Sequence, residues 1–246
     1  MTKCLDKDYL KYLLNKKVAL VGPASYLLDT KMGSVIDSYD IVVRVGRSLE
    51  ILGNHPQNLG TKADILYNSC IEEPNQGGDL SVDLFREAGL EWVCTIPHSD
   101  FSGNVQDGGF HPSVNLSSIE KIKQNFKFHI TEPSICIETN SRVKCRANTG
   151  FVAIFDLLSQ NIQELFICGY SFYLDPYIND YKKGCTEIEA DNVRRTLSTR
   201  HIQGNHWQCL KDEVNKNTKV VVDPFLRKIL NMESYSLEEF QKLNNV

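Results

Sequence analysis

Residues 16–47 read KKVALVGPASYLLDTKMGSVIDSYDIVVRVGR, two apolar runs separated by a polar, glycine-containing piece. The runs VALVG (18–22) and DIVVRV (40–45) are short and nearly continuous in apolar character rather than alternating. A strand buried on one face alternates; a strand covered on both faces does not, and both-face burial is the mark of a parallel sheet between helices. The first run ends in Gly22-Pro23-Ala24-Ser25. That turn matches neither the G-x-G-x-x-G dinucleotide loop nor the G-x-x-x-x-G-K-[ST] triphosphate loop, so the rest of the chain must say what it holds.

Further runs of the same kind follow: ADILYN (63–68), LEWVCTI (90–96), ELFICGY (164–170) and KVVVD (219–223). Between them lie segments with helical spacing. DYLKYLLNK leads, LSVDLFREAG closes at Gly89, and NLSSIEKIKQNF is capped by Asn115 or Ser117. NTGFVAIFDLLSQ is opened by Asn148, and DPFLRKILN and SLEEFQKLNN end the chain. Gly103 to Val114 and Asp175 to Arg200 read as long irregular pieces. Strands alternating with helices predict an α/β fold, a mostly parallel central sheet covered by helices in one domain over 1–246. Ligands of such sheets bind outside the carboxyl ends of the strands. Gly22–Ser25, Arg44–Arg47, Asn68–Ser69 and Gly169–Ser171 all follow predicted strand ends and are expected to converge on one rim.

The 246 residues are 41% apolar and 24% charged, with net charge −4. That is ordinary globular composition, and it lacks the basic footprint of a nucleic-acid binder. No stretch has the length of a signal-peptide core or a membrane span; a cytoplasmic location is expected, with peripheral membrane contact left open. The eight cysteines contain no C-x-x-C pair, which argues against zinc, and Cys94 and Cys168 sit inside apolar runs as packing residues. G-x-S-x-G is absent. Asp6-Lys7-Asp8 precedes the first strand and reads as a helix start rather than a metal–nucleotide carboxylate pair.

Two segments carry a resemblance. VALVGPASYLL…MGSVIDSYDIVVRVGR resembles the large motif of the family-29 sialyltransferases, an apolar strand with a Gly-Asn-Ser type turn leading to an "IDS-D-V-R-N" pattern. ANTGFVAIFDLLSQNIQELFICGYSF (147–172) resembles their small motif, a hydroxyl-and-glycine opening of an apolar helix followed by a strand. The resemblance implies a Rossmann-like, GT-A-like domain. It also implies an inverting, metal-independent transferase, without a cofactor, that takes a sialic-acid-like or Kdo-type 2-keto sugar from a CMP-activated donor to a glycan or glycolipid hydroxyl. Three departures stand out: Pro23 and Gly46 replace asparagines of the family pattern, and Val18 stands where animal enzymes place a cysteine. The last points to a bacterial or viral type. The first two motivate an alternative, a catalytically inactive cytidine-nucleotide-binding module; an unrelated α/β methyltransferase or hydrolase is a third reading.

Carried onto this sequence, the donor-binding residues are Gly22, Pro23, Ala24, Ser25, Gly46, Asn68, Asn148, Thr149, Gly150, Gly169, Tyr170 and Ser171. In an open loop, glycine at 22 lets the backbone approach a ligand closely. Asn148-Thr149-Gly150 joins a helix N-terminus to small polar groups, which suits an anion but equally a plain helix cap. Asn68 reads as a nucleotide contact or a turn residue. Arg44 and Asp37 read as a pair that fixes the first motif. Tyr181, in preference to Tyr177, is placed to steady the leaving phosphate.

Displacement at the sugar carbon needs a general base, and histidine titrates in the right range. Of His55, His98, His111, His129, His201 and His206, the last two lie where the family has its catalytic histidine. Spacing to the final strand favours His201, eighteen residues before Lys219. Trp207, Leu210 and Val214 then form the buried face of a following helix, and His129, at the start of a further strand, reads as structural.

Overall fold

The computed structural model describes residues 6–73, 77–97, 114–179, 181 and 201–244. Seven strands, β1 (Lys17–Val21), β2 (Ile41–Val45), β3 (Ile65–Tyr67), β4 (Trp92–Thr95), β5 (Lys127–Ile130), β6 (Glu164–Cys168) and β7 (Val220–Val222), form one sheet in the order β5-β4-β3-β2-β1-β6-β7. All six pairings are parallel. Helices α1 (Lys7–Leu13), α2 (Gly33–Asp37), α3 (Pro56–Leu59), α4 (Val82–Glu87), α5 (Leu116–Asn125), α6 (Pro133–Val143), α7 (Thr149–Ser159) and α8 (Gln203–Lys216) accompany the sheet, so the expected α/β architecture is present.

The nearly continuous apolar runs sit where both faces are covered. Val18, Ala19 and Leu20 of β1 and Leu165 and Ile167 of β6 are fully buried. Each such Val, Leu or Ile side chain contributes ~1.5–3 kcal/mol relative to exposure. In the edge strand β5 only His129 of the four residues is buried, which is why its apolar signal is weak.

Helix α7 (Thr149–Ser159) lies in the largest core cluster, with Phe151 to Leu157 buried. Asn148 caps it by accepting from the Phe151 amide. The helix expected after His201 is α8 (Gln203–Lys216), with Trp207 and Leu210 buried and Val214 packed against the same core. Helix α1 (Lys7–Leu13) is capped by Asp6, the role read for the Asp6-Lys7-Asp8 run. Helix α6 (Pro133–Val143) had no counterpart in the sequence reading. It buries only the narrow stripe Ile135, Cys136, Thr139 and Val143, so its periodicity is faint. Cys94 and Cys168 are buried and free, as read. Among the described residues no helix is long and apolar enough to cross a membrane.

One expected pairing is corrected. Arg44 and Asp37 form no ion pair with each other among the described residues. Instead both grip one turn: Arg44 donates to the Leu59 and Lys62 carbonyls, while Asp37 accepts from the Thr61 and Lys62 amides. Burial lowers the Arg44 pKa to about 10, with neighbouring carboxylates opposing the shift, so the guanidinium stays charged and bound to carbonyls.

Candidate functional site

The strand order reverses about β1: β2 and its successors lie on one side, β6 and β7 on the other. A crevice is expected at the carboxyl ends of the strands flanking such a switch point. The four predicted strand-end segments lie along that edge. Gly22 donates to the Cys168 carbonyl and Ala24 to the Gly169 carbonyl, which joins the β1 and β6 turns. Gly46 donates to the Tyr67 carbonyl, and the Asn68 side chain donates back to the Gly46 carbonyl at 2.9 Å, which joins the β2 and β3 turns.

The β1–β6 junction is very close. A Cβ built on Gly22 would lie 2.3 Å from the Gly169 carbonyl oxygen and 2.8 Å from the Tyr170 ring. Glycine at 22 is thus required by another part of the chain, where the sequence reading had reserved the approach for a ligand. Tyr170 then bridges onward, its hydroxyl donating to the Gly150 carbonyl at 2.9 Å. The β1 turn, the β6 turn and the start of α7 are therefore linked through one tyrosine.

Two residues that the sequence did not single out hold this junction. Tyr26 accepts from the Gly169 amide at 2.7 Å and donates to Asp223 at 2.6 Å. Asp175 accepts from Ser25 Oγ and the Tyr26 amide at 2.9 and 2.7 Å. Burial raises the pKa of both carboxyls, while these hydrogen bonds work against it. Tyr26 lies inside the first motif, but its partners are 143 and 197 residues away, so no local signal finds them.

After β6 the chain turns sharply at Phe172 and Tyr173, both at positive φ, and folds back along the rim. Ala24 and Tyr177 form an isolated antiparallel bridge, and Ile178 donates to the Pro23 carbonyl. Ser171 is buried with its hydroxyl on the Asp175 carbonyl. Tyr173, Tyr177 and Tyr181 follow one another with ring centroids 5.4 and 4.9 Å apart. Tyr181 is buried, and its hydroxyl is turned onto the Val45 carbonyl at 3.4 Å. A phosphate role for Tyr181 requires that hydroxyl to leave this contact.

Asn68 is buried and occupied on three sides: it donates to the Gly46 and Gly77 carbonyls and accepts from the Cys70 amide. Its observed contacts are those of a turn residue. Pro23, Ser25, Gly46, Asn148, Thr149, Gly150 and Tyr170 are only partly buried and form the accessible part of the rim.

The two candidate histidines differ sharply. His201 is partly buried, and its Nδ1 lies 2.6 Å from the Arg146 carbonyl oxygen. A carbonyl only accepts, so Nδ1 carries the hydrogen in the neutral ring and Nε2 holds the lone pair. Arg146 is two residues before the Asn148 cap, so His201 stands beside the N-terminus of α7. His206 is fully buried on α8, its Nδ1 donating to the Ile202 carbonyl and its ring packed edge-on against Phe151. Burial lowers its pKa to about 4, against the pull of the Ile202 hydrogen bond, and the nearby His201 lowers it further. His129 of β5 is buried, its ring bonded to Asp156 of α7, consistent with the structural role read for it. His98 and His111 lie outside the described residues.

No family model and no curated protein matches this sequence. Solved structures do. The sialyltransferase CstII from Campylobacter jejuni, solved with cytidine-5′-monophosphate, superposes with a TM-score of 0.52 at 14% identity, over 85% of this chain and 79% of that one. The monofunctional α-2,3-sialyltransferase Cst-I from the same organism gives 0.53 at 11% identity, over 85% and 75%. A mammalian sialyltransferase aligns over 75% of this chain and 66% of its own, at 17% identity and a TM-score of 0.43. The two bacterial likenesses show that the chain has a sialyltransferase-like fold.

Proposed function

We propose that this chain is a CMP-sugar-dependent glycosyltransferase that moves a sialic-acid-like or Kdo-type 2-keto sugar to a glycan hydroxyl with inversion. The observation that carries the reading is the junction at the switch point. The two segments that resemble the sialyltransferase motifs pair directly through β1 and β6, and His201 is hydrogen-bonded beside the helix start that belongs to the second.

In this reading the single phosphate of the donor lies at the N-terminus of α7, where unpaired amides and the positive end of the helix dipole favour an anion. Asn148, Thr149 and Gly150 flank it. Tyr170 is an uncharged phenol, since burial pushes it well above the usual range, and its hydroxyl holds the Gly150 carbonyl. The acceptor oxygen attacks the anomeric carbon as His201 Nε2 takes its proton. The bond from that carbon to the phosphate oxygen breaks, and CMP leaves with the electron pair. One displacement inverts the centre. A lone phosphate leaving group is handled by fixed dipoles, so no metal ion is needed, and activity should survive EDTA.

The discriminating experiment is thermal protection by nucleotides. CMP and CDP should protect more than UMP, UDP or GDP at equal concentration. A ligand at 100 times its Kd adds roughly 2.7 kcal/mol. Equal protection by uridine nucleotides sinks the donor reading. Binding of CMP without turnover of CMP-Neu5Ac, CMP-Kdo or other CMP-nonulosonates selects the inactive-module alternative.

A further inference from the structure

Gly46 sits at the end of β2 with φ +59, and a Cβ built there would lie 2.1 Å from the Tyr181 hydroxyl oxygen and 3.2 Å from the ring carbon that bears it. Real Cβ contacts do not come that close, so position 46 and Tyr181 cannot both carry their groups in this arrangement unless 46 is glycine. The phenol uses the vacant space. Its oxygen lies 3.4 Å from the Val45 carbonyl, so the hydroxyl sits over the turn at residue 46. The Tyr181 ring packs on Tyr177, which is bridged to Ala24 of the β1 turn. Tyr181 is therefore fixed between the β1 and β2 ends of the rim.

We infer that Gly46 is the seat of Tyr181, a positioning residue that acts on the ligand site through the phenol ring rather than by contact of its own. The inference rests on the donor-site reading above. A seated ring walls the site over the end of β2; any side chain at 46 lifts the ring off the backbone and into the space meant for the ligand.

A double-mutant cycle tests this, with Tm and CMP affinity as its two readouts. Gly46→Ala should lower Tm by ~5 °C or more and weaken CMP binding about tenfold, the scale of losing one well-placed contact set. Tyr181→Phe keeps the ring and removes the overlapping oxygen, leaving a ring-carbon contact that a small shift relieves. In that background Gly46→Ala should cost less than half as much in Tm, and CMP affinity should return to within about threefold of Tyr181→Phe alone. Alanine at positive φ is strained in every background, so that strain cancels in the cycle and the coupling reports the overlap. If Gly46→Ala alone does not fold, recovery of folded protein in the double variant is the same result. Equal costs of Gly46→Ala with and without the Tyr181 hydroxyl overturn the seat. Failure of CMP to bind even the unaltered chain removes the donor reading instead, and the Tm cycle still decides whether Gly46 seats the phenol.

Discussion

Two histidine clusters pack against α7, one along its length and one at its start, and they are opposites. In the first, His129 Nε2 lies 3.1 Å from Asp156 Oδ2, which also accepts from Tyr67 at 2.9 Å and Thr131 at 2.5 Å. The Tyr9 ring stacks on His129 at 4.1 Å, and its hydroxyl meets that of Tyr67. By residue type this is the better acid–base dyad of the two. It is sealed: Asp156, Tyr9 and Tyr67 are fully buried and His129 is 3% exposed. In the second cluster, the His201 ring is oriented by the Arg146 carbonyl, and it is partly exposed beside a helix N-terminus. Residue type alone does not make a site; a proton must also be able to reach an acceptor.

The contrast breaks most directly at Asp156. Asp156→Ala removes the shared acceptor of three buried donors, and the loss should be ~3–5 kcal/mol of unfolding free energy by urea titration. A loss below about 1 kcal/mol would mean that the first cluster is not the structural brace described here.

Next is the acid limb of stability. The folded-state pKa of His206 is about 4, below the ~6.5 of an unfolded histidine. Between those values the unfolded chain binds the additional proton. Stability is full above about 6.5 and falls as pH drops toward 4, by about 3 kcal/mol from this group. His206→Leu should flatten that limb in a urea series from pH 7 to 4.5. An unchanged slope would place the acid sensitivity elsewhere.

The third prediction separates the paired histidines by function. His201→Ala should lower kcat ~10²-fold, the scale of a lost general base, while CMP still binds; His206→Ala should cost less in kcat. Near-full kcat in His201→Ala with loss in His206→Ala would reverse the roles and overturn the argument from accessibility.

The smallest expected effect is at the junction that holds the two motifs together. Tyr26→Phe leaves the Gly169 amide without its acceptor and Asp223 without one donor, at about 1–2 kcal/mol. Because this junction borders the candidate site and the Asp156 brace does not, Tyr26→Phe should also weaken CMP protection. Undiminished protection would blur the contrast between the two regions.

Six of the seven strands were legible by their apolar runs: five are buried on both faces, and the edge strand β7 is three valines with Val221 exposed. Strand β5, half exposed at the sheet edge, showed only as a strand near His129. The cap at Asn148 and the apolar face of α8 were equally plain, since each depends on residues within one or two turns. Site residue types at strand ends were legible; their states were not. Spacing favoured His201 as the base but did not reveal that His206, five residues on, is buried, because that depends on where Phe151 comes to lie.

The sequence by itself determined most of the elements, their order and the convergence of four turns on one rim, because strand and helix patterns are short-range and the connections of a parallel sheet place strand ends together. Only the tertiary structure decided who occupies the glycines. Gly22 admits the Gly169 carbonyl and the Tyr170 ring, and Gly46 admits the Tyr181 hydroxyl. A glycine announces that something comes close. What comes close is fixed by contacts between segments distant in the chain, whose register is set by the packing of the whole sheet.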